Sequence, residues 1–463
     1  LLVALKKHNI QTIGTEAMPD IGPYFKTISG SLDFELTKAQ KKVIQEIHSD
    51  LKISRPMNRL IQGDVGCGKT IVAILVSSLA VGNNMQVAVM APTEILARQH
   101  YLSFKNEFDK VNIPSCLLVG KMKKMERDPI LKGLQKGKIS IVIGTHALIQ
   151  NDVKFKKLGL VIIDEQHRFG VNQRLHILEK GSNPHLMSMT ATPIPRTLSI
   201  TYHGDMDLSI IDELPANRIP VTTKIVDQSK MVKVYDFIRK KIKLGRQAIV
   251  VYPLVEESEK SDLAAAVQNH ELLSNVQFPK INVGLIHGKM KPQEKEEIIN
   301  KFNKNKIKIL VSTTVVEVGL DVPNATIMIV EHAERFGLTQ LHQLRGRVGR
   351  GTEKSYCILV KRNQSNVSRS RLEIMEKTND GFLIADEDLK LRGPGEVFGI
   401  KQSGFFQYKI ADVVKDVKII REARELAFGL VKSDPALNKK SNRHIKKIFR
   451  TKYSEYLENL KLI

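Results

Sequence analysis

The chain has 463 residues, 42% of them hydrophobic and 26% charged, with 72 Lys+Arg against 49 Asp+Glu and a formal net charge of +23. That length predicts two to four domains. No apolar run approaches the roughly 18–20 residues that a helical membrane span needs, which argues against a membrane partner. The cationic excess fits a polyanionic partner, and equally a lysine-rich proteome. The cysteines, Cys67, Cys116 and Cys357, are odd in number and form no CxxC pair. They speak against a disulfide framework or a zinc site and for a reducing compartment. No signal peptide is visible, and the chain opens Leu-Leu-Val without Met, so it is expected to begin inside a longer protein.

Residues 1–30 carry little pattern. Residues 4–10 read as the end of a helix, and Gly22-Pro23 and Ser29-Gly30 read as linker punctuation. From Phe34 the pattern sharpens into an amphipathic helix over 37–51 with Thr37 as its N-cap. Short β-branched, two-sided apolar runs then alternate with helical stretches: 59–62, 86–92, 139–145, 158–165 and 185–192. A second set follows at 247–254, 281–288, 307–314, 326–332 and 355–360. Such runs suit parallel sheets covered by helices on both faces. The apolar stretch 71–81 reads as a buried helix. The fold class is therefore α/β, with two parallel-sheet lobes joined near 211–222. Beyond about residue 362 the strands stop. Segments 369–377 and 413–431 look helical and flank a Gly/Pro-rich loop at 391–404. The basic run 432–452 is either a DNA-contacting surface or a solvated, partly disordered end.

Residues 63–70, GDVGCGKT, match G-x-x-x-x-G-K-[ST] between a predicted strand and a predicted helix, the context that gives the motif meaning. Gly63, Gly66 and Gly68 let backbone N–H groups curl around phosphate oxygens, and the helix N-terminus adds a favourable dipole. Lys69 would reach the β/γ-phosphates and Thr70 would ligate Mg²⁺. In VIIDEQH (161–167) an apolar strand ends in Asp164, a hard oxygen donor for Mg²⁺, with Glu165 beside it to orient or deprotonate an attacking water. SMTATPIPRT (188–197) ends the next strand in small hydroxyl residues, a candidate coupler, although Ser/Thr runs taken alone are usually turns. QLRGRVGR (343–350) gathers Arg345, Arg347 and Arg350, which repel one another unless something anionic lies among them. A guanidinium from the second lobe on the γ-phosphate would make ATP hydrolysis depend on lobe closure. STTVVEVGLDVP (312–323) offers Thr313, Thr314, Gly319 and Asp321 to hold a phosphodiester or the nucleotide ribose. APTEILARQH (91–100) offers Thr93 and Arg98 as phosphate contacts, and GTHALI (144–149) adds Thr145 and His146. Aromatic residues are 5% of the chain and Trp is absent, so backbone tracking is expected rather than base stacking.

The ordered set GDVGCGKT, APTEILARQ, DEQH, TATPIPRT and QLRGRVGR resembles that of superfamily 2 helicases. The stretches at 56–70, 161–174 and 381–404 narrow the resemblance to the RecG family of bacterial ATP-dependent DNA helicases, over about residues 34–430. The bacterial transcription-repair coupling factor is the nearest related type; it typically carries Glu where this chain has Gln166 and lacks the Pro-Gly-Glu form at 394–396. The resemblance implies two RecA-like lobes gripping ATP and duplex DNA, and a helical translocation motif. It divides the chain into a linker remnant (1–32), an ATP-binding lobe (33–212), a second lobe (213–365), and the translocation motif with its basic tail (366–463). By matching positions, Phe34 and Gln40 would contact adenine, and Gln343, Arg347 and Arg350 would face the γ-phosphate. Arg392 and Gln402 would lie in the translocation loop. Gly319 and Asp321 are assigned to the nucleotide, and Thr93, Arg98, Thr145, His146 and Thr313 to DNA. The implied cofactors are ATP and Mg²⁺. The implied partners are double-stranded and branched DNA and a single-strand DNA-binding protein, for a cytoplasmic, nucleoid-associated bacterial monomer. The expected function is fork reversal and junction branch migration. The alternatives are a transcription-repair type translocase, or a motor that hydrolyses ATP without productive unwinding. The N-terminal wedge domain of such helicases has no counterpart in these residues.

Overall fold

A computed structural model describes residues 1–192, 204, 206–216, 218–253, 259–313, 322–362, 366–392 and 416–459. In the first lobe, strands β1 (Asn58–Gly63), β2 (Gln86–Met90), β3 (Ser115–Leu118), β4 (Ile141–Gly144), β5 (Leu158–Asp164), β6 (His185–Thr190) and β7 (Asp207–Ile211) form a seven-stranded sheet. Its order is β3-β4-β2-β5-β6-β1-β7 and every pairing is parallel. In the second lobe, β8 (Thr222–Asp227), β9 (Gln247–Val251), β10 (Val283–Ile286), β11 (Ile309–Ser312), β12 (Ala325–Val330) and β13 (Tyr356–Lys361) form a six-stranded parallel sheet in the order β10-β11-β9-β12-β13-β8. The α/β class and the two parallel-sheet lobes are as expected.

Helices α1 (Leu2–Thr12), α2 (Gly22–Gly30), α3 (Lys38–Leu51), α4 (Lys69–Gly82), α5 (Glu94–Phe108), α6 (Lys124–Gln135) and α7 (Val171–Leu178) belong to the first half of the chain. The second lobe carries α8 (Met231–Lys243), α9 (Glu259–Leu272), α10 (Pro292–Asn303) and α11 (Leu338–Arg345). Helices α12 (Asn366–Lys377), α13 (Gly381–Arg392), α14 (Val417–Ser433) and α15 (Arg443–Asn459) follow. Both faces of the first sheet are covered, so alternate residues of one strand enter different cores. Val87 and Val89 of β2 pack with Ile47, Leu75 and Leu79, whereas Ala88 and Met90 pack with Val142, Val161 and Ile177. The stretch 72–81 in α4 is buried throughout, because this helix lies between the sheet and helices α2 and α3.

Thr37 does cap α3. Its hydroxyl accepts the Gln40 N–H at 3.2 Å, and Gln40 Oε1 accepts the Thr37 N–H at 2.9 Å, a reciprocal capping box. Three expectations need correction. Residues 22–30 are a helix rather than a linker, because Pro23 sits in the first turn, where its missing N–H costs nothing. Strands β3, β7 and β8 went unread. All three lie at sheet edges, where partial exposure breaks the continuous apolar signature. Of the two readings of the basic run, the partly disordered end is not supported over 443–459, which is helical. Among the described residues, no helix is long and apolar enough to cross a membrane.

Candidate functional site

Parallel strands present all their C-terminal ends at one edge, and the polar residues singled out from the sequence collect there. Gly63 ends β1, and the loop after it bends through Gly66 (φ +78°) and Gly68 (φ +87°) into the first turn of α4. Both glycines are required by conformation. Gly68 is also required by space, since a Cβ there would lie 2.2 Å from Gln40 Nε2. That amide nitrogen donates to the Cys67 carbonyl at 2.8 Å and so braces the loop from α3. Lys69 Nζ donates to the Gly63 and Asp64 carbonyls at 2.7 and 2.9 Å, a folded-back pose from which a phosphate would draw it.

Asp164 closes β5 and is 9% exposed. His100 of α5 donates from Nε2 to Asp164 Oδ2 at 2.8 Å, and the Glu165 N–H donates to Oδ1 at 3.1 Å. Burial opposes ionisation of Asp164. The hydrogen bond and charge of His100, with Lys69, outweigh it and hold this carboxyl below the usual range. Glu165 goes the other way: burial, then the charge of Asp164, raises its carboxyl. The pair is thus split into an anion and a better proton acceptor. Glu165 also sits at φ +49°, a left-handed pose that a glutamate adopts only where its surroundings impose it. Its carboxylate accepts the Thr190 hydroxyl at 3.3 Å and the Ala191 N–H at 3.3 Å, which ties the acidic pair to the end of β6.

The second lobe supplies the opposite wall. Gly66, Gly68, Lys69, Thr70, Asp164, Glu165, Gln343, Arg347 and Arg350 line one cavity of about 230 Å³. Gln343 Nε2 donates across the cleft to Thr192 Oγ1 at 3.2 Å. Sequence reasoning missed several parts of this arrangement. His100, Gln99, Ser103, His167 and Arg168 line the same cavity. Asp64 is bonded to His342 of α11, and Arg218, from the segment joining the lobes, donates to the Val65 carbonyl. Asp64, Gln99, His100 and His167 fall inside quoted motifs, but the motif spacing gave them no role, because their partners are brought to them only by tertiary placement. Arg345 does not share the cavity. It is 2% exposed and donates to the Met375 and Thr378 carbonyls, both at 2.9 Å, and to His342 Nδ1 at 2.9 Å.

The other predicted residues lie apart. Phe34 is 46% exposed and lines a separate groove of about 900 Å³ with Phe25, Leu36 and Ile44. Gln40 is buried behind the phosphate loop. Thr93 follows β2 and caps α5, accepting the Leu96 N–H at 3.3 Å. Arg98 pairs with Glu94 at 3.0 Å and lies 3.7 Å from Glu296 of α10 in the second lobe. Thr145, buried, and His146, exposed, follow β4, the neighbour of β2. Thr313 follows β11 and is fully buried. Arg392 ends α13, and nothing of its side chain is described. Gly319, Asp321 and Gln402 lie outside the described residues, as do Thr314 and 193–197 of the SMTATPIPRT run.

Residues 37–200 match the DEAD/DEAH box helicase family, 229–352 the helicase conserved C-terminal domain, and 378–454 the family of ATP-dependent DNA helicase RecG, domain 3, C-terminal. The ATP-dependent DNA helicase RecG of Synechocystis is 49% identical over 93% of this chain, which covers 52% of that relative. The RecG of Aquifex aeolicus is 47% identical over 99% of this chain, which covers 58% of that relative. The chain thus spans little more than half the length of these curated relatives. The structure of RecG bound to a three-way DNA junction superposes with a TM-score of 0.76 at 44% identity, over 91% of this chain and 55% of that one. The S. cerevisiae Dbp5 structure with RNA and ADP BeF3, at 16% identity over 89% of this chain and 100% of that one, shares the fold alone, with a TM-score of 0.57. On its motifs, its two sheets and these matches, the chain belongs to the RecG family of ATP-dependent DNA helicases.

Proposed function

We propose that this chain is an ATP-driven translocase on double-stranded DNA that remodels branched DNA, by fork reversal and junction branch migration, in recombination and repair. One observation carries the reading: the phosphate loop and acidic pair of the first lobe share a cavity with Gln343, Arg347 and Arg350 of the second. A site completed only by both lobes makes hydrolysis conditional on their apposition, which is what a motor requires. The branched-DNA substrate draws support from the similar RecG structure, which is bound to a three-way DNA junction.

In this reading the N–H groups at Gly63, Gly66 and Gly68 hold the ATP phosphates and Lys69 neutralises the β/γ charge. The Thr70 hydroxyl and the Asp164 carboxylate, hard oxygen donors in the same cavity, suit Mg²⁺. When bound, the ion offsets charge on the β- and γ-phosphate oxygens. Glu165 orients the attacking water and takes its proton. Arg347 and Arg350 stabilise charge on the transferring group from the far wall, beside Gln343. Phe34 and Gln40 serve adenine, and Gly319 and Asp321 serve the ribose. Thr93, Arg98, Thr145, His146 and Thr313 track the DNA backbone, and Arg392 and Gln402 belong to the translocation loop. The reading includes a monomeric, cytoplasmic, nucleoid-associated protein that meets a single-strand DNA-binding protein at its substrate.

The test is Arg347→Ala. It should leave ATP binding intact while DNA-stimulated kcat falls by about 10³-fold or more, as arginine fingers contribute. Lys69→Ala should lose binding and turnover together. Normal turnover in the arginine variant would sink the assignment. Forked DNA, linear duplex and RNA compared as activators fix the substrate, and a fork-unwinding assay separates a productive motor from one that only hydrolyses ATP. The curated relatives above are RecG helicases, which does not favour the transcription-repair alternative.

A further inference from the structure

His100 has no role in the reading above, yet it is the only described side chain seen hydrogen-bonded to the Asp164 carboxylate. It sits in the second turn of α5, is 7% exposed, and lines the nucleotide cavity. The Asp164 carboxylate is held at both ends, by His100 Nε2 on Oδ2 at 2.8 Å and by the Glu165 N–H on Oδ1 at 3.1 Å. A carboxylate gripped by one donor swings about its terminal torsion, which is broad and soft. Donors on both oxygens fix its plane, and the lone pairs left over keep one direction. Outer partners that orient a metal-binding side chain in this way set the metal affinity.

The same helix reaches two other places. Its first turn carries Thr93 as N-cap, at the strand ends assigned to DNA. Arg98, two residues before His100, lies between Glu94 and Glu296 of the second lobe. Thr93 and His100 are about 10 Å apart along a helix that rises roughly 1.5 Å per residue, short enough to move as one rigid piece. A shift of α5 at its DNA-facing turn therefore displaces the imidazole on Asp164.

We propose that His100 is a positioning residue: it sets the orientation of the Asp164 carboxylate and makes α5 the strut through which DNA engagement reaches the metal. The inference rests on the reading of Asp164 as a Mg²⁺ ligand. It is tested with Mn²⁺ as the probe, its affinity for the ATP-bound chain measured by EPR in a Glu165→Gln background where nothing turns over. His100→Ala should weaken Mn²⁺ by roughly 10-fold or more. His100→Gln, whose amide N–H can stand in for Nε2–H, should recover most of that loss. Asp164→Asn is the control. If it leaves Mn²⁺ affinity unchanged, the metal reading itself fails. If it weakens Mn²⁺ while His100→Ala does not, in a protein that melts normally, the positioning role is overturned. With Glu165 restored, His100→Ala should lower the ratio of DNA-stimulated to basal ATP hydrolysis several-fold, and His100→Gln should restore it. An unchanged ratio alongside weakened Mn²⁺ would overturn the strut.

Discussion

Removing the bond between Asp64 and His342 tests how the two lobes are joined at the phosphate loop. Arg345 donates to His342 Nδ1, so Nδ1 is the acceptor nitrogen and Nε2–H points at the Asp64 carboxylate. The side chains are 4% exposed for His342 and 16% for Asp64, so water replaces neither partner cheaply. Burial works against ionisation of Asp64, but the His342 hydrogen bond, the Val65 N–H and the charge of Lys69 hold its carboxyl below the ordinary range. A hydrogen bond to a charged group contributes about 1.5–3 kcal/mol. If that bond favours the apposed arrangement of the lobes, losing roughly 2 kcal/mol reduces the closed population by about 30-fold. His342→Ala, Asp64→Ala and the double variant are compared by kcat/KM for ATP at saturating DNA. Each single change should lose about 10- to 30-fold, and the double variant no more than the worse single one, because both remove the same interaction. Losses that multiply, or full activity in His342→Ala, would refute the coupling.

Three further outcomes are expected. Gly68→Ala should abolish binding of a fluorescent ATP analogue while the circular dichroism of the fold persists. Position 68 sits at φ +87°, and the new methyl would lie 2.2 Å from Gln40 Nε2; unchanged affinity would contradict this. Arg98→Ala should cost under about 1 kcal/mol of stability, its ion pairs being partly exposed. It should also flatten the plot of log affinity for duplex DNA against log salt by about 0.9, read by anisotropy titration, whereas an identical slope excludes a phosphate contact. Asp434, between α14 and α15, is buried, which opposes its charge. Its carboxylate accepts Asn442 Nδ2 and the N–H groups of Asn438 and Lys439, each at 2.9 Å, and these hold its carboxyl below the ordinary value. A depressed folded value means this turn is stabilised at neutral pH and loses that support as acid titrates the group. Protection from hydrogen exchange at Asn438 and Lys439, relative to the intrinsic rate at each pH, should therefore fall only below about pH 4, and in Asp434→Ala should be low at every pH. Protection that is independent of pH and of Asp434 would count against it.

Much of the fold was legible because parallel strands covered on both faces must be apolar on both faces. Strands β1, β2, β4, β5, β6, β9, β11, β12 and β13 announced themselves in this way, and β10 was read too although it is a partly exposed edge strand. The strands that escaped, β3, β7 and β8, are at the edges, where SCLL, DLSII and TTKIVD are only partly buried. Helix α2 escaped because Gly22-Pro23 signals a break and a helix start equally well. For the site, spacing alone marked residues 63–70 as a candidate phosphate loop, and the strand, the positive-φ glycines and the helix start it called for are present. Asp164 and Glu165 were visible at the end of an apolar run, but the opposite displacement of their carboxyls was not. It comes from His100, 64 residues earlier in the chain, and from burial that sequence does not state.

The arginines show where the boundary lies. Sequence by itself determined that Arg345, Arg347 and Arg350 are neighbours in a glycine-punctuated segment and that a guanidinium is wanted by a phosphate loop. Only tertiary structure decided which of them reach it. Arg347 and Arg350 line the cavity, whereas Arg345 turns back into the second lobe, onto the Met375 and Thr378 carbonyls. The reason is physical. Local sequence fixes strand, turn and helix through short-range sterics and hydrophobic pattern, whereas the direction of a long cation is settled by which distant carbonyls and carboxylates the packed lobes bring within reach.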